Sequence, residues 1–178
     1  MPKLYTASTA PVVDEPLPGM TEWVKCATKY SGGALWNNGT YVKRDIRGKP
    51  GQVSNHAKGI AADLSYRYIP ANNKGVTNGR VKSVDFINEC LANFDALGIM
   101  LVIDYWPGYG RSWRCDRAGV GIIKAHSGEA WRKAISKTFT GAPGGDWWHV
   151  EITPDMANSP AKVKQAFATI FEVSTTTV

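Results

Sequence analysis

Two short stretches, Ser54-Asn55-His56-Ala57-Lys58-Gly59-Ile60-Ala61-Ala62-Asp63 and Asp146-Trp147-Trp148-His149-Val150-Glu151, hold two of the chain's three histidines. Together they offer His56, Asp63 and His149. Two imidazoles and one carboxylate form the ligand set of a catalytic zinc ion with one position left open for water. Such side chains converge on one ion only when rigid elements carry them. A fold that uses this set must therefore hold two segments, far apart in the chain, side by side. Asp146, three residues before His149, is placed to manage the protons of that water.

The flanking patterns say what those elements are. Gly59 to Arg67 reads as a strand, with Ile60, Ala62 and Leu64 alternating against Ala61, Asp63 and Ser65. Trp147 to Thr153 reads as a second strand, and Ile99 to Trp106 as a third, buried one by its aliphatic density. Thr21 can cap a helix through about Tyr30 that buries Trp23, Val24 and Ala27. Ser83 to Leu97 is the clearest helix, with Val84, Ile87, Leu91, Phe94 and Leu97 at helical spacing, Ser83 as cap and Gly98 as stop. Ser127 to Phe139 reads as a helix before the breaker run Gly141 to Gly145. Ser159-Pro160 opens another that ends near Glu172. Ser31–Gly39 and Asn72–Arg80 read as loops, Thr40–Gly51 as a polar, basic segment, and Pro107–Gly121 as a loop or loose hairpin. Helices and strands intersperse without regular βαβ repeats. The expected class is α+β, a small, mainly antiparallel sheet with helices packed on one face. Residues 1–19, with four prolines, read as an extended arm, 20–173 as a single domain and 174–178 as a frayed tail.

Each candidate residue has a functional and a plain reading. Ala61 and Ala62 leave space around Asp63, and Gly59 allows a tight backbone path where a Cβ would clash. A carboxylate among Ile60, Ala61, Ala62 and Leu64 needs a cation or several donors. A metal meets that need, and so does a salt bridge to Arg67 or Arg44. His56 alone reads as a solvated loop histidine and His149 as a hydrogen-bonded core histidine. Glu151 shares the face of His149 by strand parity and can orient it. Asp146 has the opposite parity, so its role requires an irregular backbone, which Gly144-Gly145 permit. Ser54 and Trp148 are further candidates for supporting the ligands or touching substrate. Trp147, Trp148, Trp113 and Tyr109 are candidate cleft walls, with core packing expected for at least one of Trp147 and Trp148. His126 has no carboxylate at ligand spacing and reads as structural or as part of the rim.

Composition narrows the partners. At 178 residues and 19.4 kDa the chain suits one core. A net charge of +6 and a pI near 9.3 favour anionic partners, but the basic residues are scattered, without the dense run of a nucleic-acid tail. Cys26, Cys90 and Cys115 form no CxxC pair, and their odd count points to a reducing compartment and buried thiols. The start of the chain has no apolar stretch of signal-peptide length, and the longest aliphatic run, Ile99 to Ile103, is far too short for a bilayer.

The order of the motifs is more specific than any one of them. Gly39-Thr40-Tyr41-Val42-Lys43-Arg44-Asp45-Ile46-Arg47-Gly48, then Ser54-x-His56-x-x-Gly59-x-Ala61-x-Asp63, then Trp148-His149-x-Glu151 resembles the zinc D-Ala-D-Ala carboxypeptidase family. That family includes the L-alanyl-D-glutamate endopeptidases of phage endolysins, and its fold resembles the hedgehog signalling domain. The resemblance spans roughly Gly39 to Ile152. It implies one Zn2+ held by His56, Asp63 and His149, Asp146 as catalytic acid/base, and Arg44 steadying the scissile carbonyl or a substrate carboxylate. Aspartate at position 146, where the carboxypeptidases usually carry glutamate, leans the reading toward an endopeptidase. The implied substrate is a bacterial peptidoglycan stem peptide, with neither specific nucleic-acid binding nor membrane insertion. The implied setting is a phage lysis or virion-associated enzyme, made in the cytoplasm without a signal peptide. It would act on the wall after release or ride on a particle beside other virion proteins. The alternative is a non-catalytic wall-binding or virion structural domain that keeps the fold.

Overall fold

The computed structural model describes residues 4–106, 111–116 and 145–172. In chain order the elements are α1 (Pro18–Tyr30), β1 (Trp36–Gly39), β2 (Asp45–Ile46), β3 (Lys49–Val53), β4 (Ala61–Ser65), α2 (Gly79–Ala92), β5 (Ile99–Asp104), β6 (Arg111–Arg114), β7 (Trp147–Ile152), α3 (Pro154–Asn158) and α4 (Pro160–Phe171). Short 3-10 turns lie at Ala7–Thr9, Asn55–Lys58 and Pro70–Asn72. Five strands form one sheet in the order β1-β4-β7-β5-β6, each pairing antiparallel. β2 and β3 make a separate hairpin that starts just after Arg44. The class is α+β, as the interspersed patterns predict.

Strand parity sorts the sheet into two faces. Leu64 of β4, Val102 of β5, and Trp148 and Val150 of β7 point to the helix side and join one apolar core with Trp23, Ile87, Leu91 and Phe167. Side chains of this size each gain roughly 1.5–3 kcal/mol on full burial, which fixes the register of the central strands. Trp23 meets Phe167 edge-on at 5.3 Å and donates its indole N–H to the Leu97 carbonyl at 3.3 Å. This locks α1 to α4 and to the turn before β5. Gly19 lets α1 come close to α3, since a Cβ there would lie 2.1 Å from the Met156 carbonyl oxygen.

The opposite face carries Asp63, Ser65, Trp147, His149 and Glu151. The chain before α1 crosses toward it. Ala7 is buried, Val13 donates its N–H to the Ala57 carbonyl at 3.1 Å, and Lys58 Nζ donates to the Ala7 carbonyl at 2.8 Å.

Several boundaries differ from expectation for identifiable reasons. α1 begins at Pro18, whose fixed φ suits a first helical position, so Thr21 is interior and its hydroxyl donates to the Leu17 carbonyl. Ser83 is likewise not a cap. α2 starts earlier, at Gly79, where Arg80 is drawn to the buried Asp104 carboxylate. The segment Ser31–Gly39 contains edge strand β1, and the Thr40–Gly51 stretch contains most of the hairpin. The Pro107–Gly121 region contributes β6. Helix α3 arises because the Thr153 hydroxyl accepts the Met156 N–H and Pro154 follows it. Ser159 caps α4 through Lys162 N–H, as its sequence predicts. The helix expected over Ser127–Phe139 lies outside the described residues. Cys26, Cys90 and Cys115 are buried and not in disulfides. Among the described residues no helix is long and apolar enough to cross a membrane.

Candidate metal centre

His56 is placed by local backbone chemistry. Ser54 caps the 3-10 turn, its hydroxyl accepting the His56 N–H at 3.3 Å, while its own N–H donates to the Arg44 carbonyl at 3.1 Å. The turn closes at Gly59 in the left-handed region, φ +68°, where a Cβ would lie 2.6 Å from Leu17 Cγ. Both constraints on Gly59 follow the expectation of a tight path. His56 is 4% exposed, and its Nδ1–H donates to the Thr40 carbonyl. That bond leaves Nε2 facing Asp63, 3.5 Å from Oδ1.

Asp63 and His149 are direct cross-strand partners on β4 and β7. Asp63 Oδ1 lies 2.9 Å from His149 Nδ1, and His149 Nε2–H donates to Glu151 Oε1 at 3.0 Å. The two imidazole rings stand 5.0 Å apart at 62°. One ligand atom from each of His56, Asp63 and His149 can be chosen so that all lie within 4.8 Å of one another. The structure thus brings together the three residues that the motifs single out.

The electrostatics follow from two carboxylates flanking one ring. Burial disfavours charge on His149, but the hydrogen bonds and negative charges of Asp63 and Glu151 outweigh it and push its pKa up to about 10. Burial likewise works against ionised Asp63, yet its hydrogen bonds to His149 and His56 hold its carboxyl well below the usual range. Glu151 is 4% exposed and is also held ionised. Burial opposes its charge, while hydrogen bonds from His149, Tyr5 and Asn55 stabilise it. Its oxygens are filled by Tyr5 Oη at 2.6 Å and Asn55 Nδ2 at 2.8 Å as well as by His149.

This arrangement fits a divalent cation. Each imidazole has one nitrogen committed to an acceptor behind it, the Thr40 carbonyl or the Glu151 carboxylate, and the other turned toward Asp63. Metal-binding histidines are held in this way, with the outer hydrogen bond fixing the tautomer and raising basicity. A cation among the three groups would take the place of the proton on His149 Nδ1. The geometry suits a cation with imidazole and carboxylate ligands and leaves its identity open.

The remaining sequence candidates are distributed unevenly. Asp146 precedes β7 and is tied to the neighbouring strand. Its carbonyl accepts the Tyr66 N–H at 3.1 Å, and its carboxylate pairs with Arg67 Nε and lies 3.4 Å from Ser65 Oγ. Arg67, weighed as a partner of Asp63, therefore pairs with Asp146 instead. Arg44 is half-buried at the foot of the hairpin and donates from Nη1 to the Asp45 carbonyl at 3.2 Å. Trp148 does not line the site. Its parity sends it into the core, where its indole donates to Ser83 Oγ at 3.0 Å. Trp113 is in the core as well, and Trp147 is half-buried on the site face. Tyr109 and His126 lie outside the described residues.

Sequence reading missed Tyr5 and Asn55 behind Glu151, and Tyr105 beside the ligands. The register supplies the last of these. Ile103 pairs with His149 and Asp104 with Trp148, so Tyr105 falls opposite Trp147 on the metal face. No family model matches the chain, and no curated protein or solved structure does either.

Proposed function

We propose that this protein is a zinc-dependent peptidoglycan peptidase that hydrolyses a bond of the stem peptide. The observation that carries the reading is the convergence of His56, Asp63 and His149 on one locus, with Thr40 and Glu151 holding the outer nitrogens. A zinc ion there would supply Lewis acidity, polarising a carbonyl and making a water more acidic. The chain's own residues do the rest. His56 and His149, in fixed tautomers, would hold the ion with Asp63, and Glu151 with Tyr5 and Asn55 keeps His149 oriented. Asp146 takes up a proton at its carboxylate and returns it to the leaving amine, which requires its contact with Arg67 to open. Arg44, half-buried at the foot of the hairpin, meets the carbonyl oxygen or a carboxylate of the substrate. The net charge of +6 favours an anionic polymer such as the bacterial wall. The resemblance to endolysin peptidases makes lysis or entry of a phage the setting, with the chain free or attached to other virion proteins.

One observation favours a second reading, a non-catalytic wall-binding or virion structural domain that keeps the metal. The Asp146 carboxylate is already engaged by Arg67 and Ser65. Purified cell walls incubated with the zinc-loaded protein separate the two. Mass spectrometry of the released muropeptides should show one newly cut stem-peptide bond that disappears with a chelator. Asp146→Ala should retain zinc and lose cleavage. Sedimentation with walls but no cleavage by the zinc-loaded wild type would establish the second reading.

A further inference from the structure

Tyr105 closes the metal face on the side away from the Asn55–Lys58 turn. Its backbone N–H donates to the Trp147 carbonyl at 3.3 Å, which continues the β5–β7 ladder one residue past β5. Strand parity then puts its side chain on the face of Ile103, Trp147 and His149. The ring packs on Trp147 at 5.6 Å, so its position is fixed by a neighbour two residues from a metal ligand. The ring is partly buried. Burial, helped by the negative charges of Asp63 and Glu151 and opposed by Arg44 and Arg47, pushes the phenol up to about 12. The phenol thus feels both the carboxylates of the metal centre and the two arginines at the hairpin. It stays protonated at neutral pH and so can act as a donor.

We propose that the Tyr105 hydroxyl is a further catalytic group, donating a hydrogen bond to the substrate oxygen that gains negative charge beside His56, Asp63 and His149. The naming of that oxygen as a peptide carbonyl rests on the peptidase reading. The placement of the donor rests on the sheet register and the Trp147 contact. A phenol whose ring is held against Trp147 is preorganised, which is the condition under which one donor to a developing oxyanion has a large effect. No proton leaves Tyr105 in this role, and no bond is made or broken at it.

Tyr105→Phe keeps the ring and its packing on Trp147 and removes only the donor. Two measurements on the zinc-loaded proteins test it, with zinc affinity and Tm expected to be unchanged. Acetohydroxamate, an oxyanion-bearing metal ligand, should bind the variant about 10–100-fold more weakly than wild type by calorimetry, as expected for a lost bond to a charged oxygen. On wall peptides kcat should fall about 10²–10³-fold with little change in KM. Equal hydroxamate affinities, or a zinc-loaded wild type that binds none, would overturn the proposal. A hydroxamate difference in a wild type that cuts no stem peptide supports the donor and overturns the peptidase reading instead.

Discussion

Replacing Glu151 with glutamine isolates the charge that stands behind His149. Glu151 Oε1 accepts from Asn55 at 2.8 Å and from His149 Nε2 at 3.0 Å, and Oε2 accepts from Tyr5 at 2.6 Å. A glutamine oxygen in the Oε1 place keeps the first two bonds, and its NH2 meets a phenol oxygen able to accept. Volume and hydrogen-bond number are preserved, and only the negative charge is lost. Metal binding at Nδ1 must displace a proton held with a pKa of about 10, against 6.5 for an ordinary histidine. Wild-type affinity should therefore rise about tenfold per pH unit, or about a hundredfold between pH 7 and 9. Without Glu151 the proton is held less tightly, and the rise should level off at lower pH. At its plateau the variant should bind about 10–100-fold more weakly than wild type at its own, roughly 1.4–2.7 kcal/mol, because the ring has lost basicity. Competition for zinc against a chromophoric chelator at half-unit pH steps reads both effects. The metal-free protein supplies the sign check. A raised histidine pKa stabilises the fold fully below about pH 6.5 and is lost as pH rises through 10, so Tm should fall across that window. Superimposable affinity profiles for wild type and variant would refute the reasoning.

Three substitutions probe the frame around the site. Arg80→Met strands the Asp104 carboxylate, which is fully buried and otherwise bonded to the Trp106 N–H at 3.0 Å. Denaturant unfolding should show a loss of about 3–5 kcal/mol. A loss under 1 kcal/mol would mean that the Tyr66, Trp106 and Trp148 rings around Arg80 hold α2 without the ion pair. Ser83→Ala deletes the acceptor of the Trp148 indole and should cost about 1–3 kcal/mol at unchanged zinc affinity. Weaker zinc binding in that variant would show that the core face and the metal face are coupled. Gly59→Ala forces a side chain into left-handed backbone against Leu17. It should cost about 1–3 kcal/mol and also weaken zinc binding, since the turn it closes carries His56. Full zinc affinity there would show that the turn has a second way to close.

What the sequence made legible was geometry within a segment. Period-two alternation from Ile60 to Ser65 exposed β4, the Ser159-Pro160 pair marked the start of α4, and the i,i+2 spacing of His149 and Glu151 put them on one face. The position of Gly59 between His56 and Asp63 was readable for the same reason, because a turn carries its own chemistry. What stayed hidden depends on register between segments. β1 is polar and exposed and pairs with β4 through a register shift at Asn37/Gly39, so neither alternation nor burial marks it. Tyr105 and Tyr5 carry no local pattern, and only the pairing of β5 with β7 and the packing of the N-terminal segment bring them to the site. Asp146 shows the same limit from the other side, since spacing puts it near His149 while Arg67, across the strand pair, takes its carboxylate. The metal centre bridges both kinds of information. Its ligands lie in two recognisable segments, but Asp63 and His149 meet because Ala62 and Val150, and Leu64 and Trp148, are paired on the opposite face. A slip of one residue would expose that apolar row and separate the ligands together. The core that fixes the sheet therefore also fixes the coordination geometry. A core change that shifts the β4–β7 register should reduce metal affinity even though it touches no ligand.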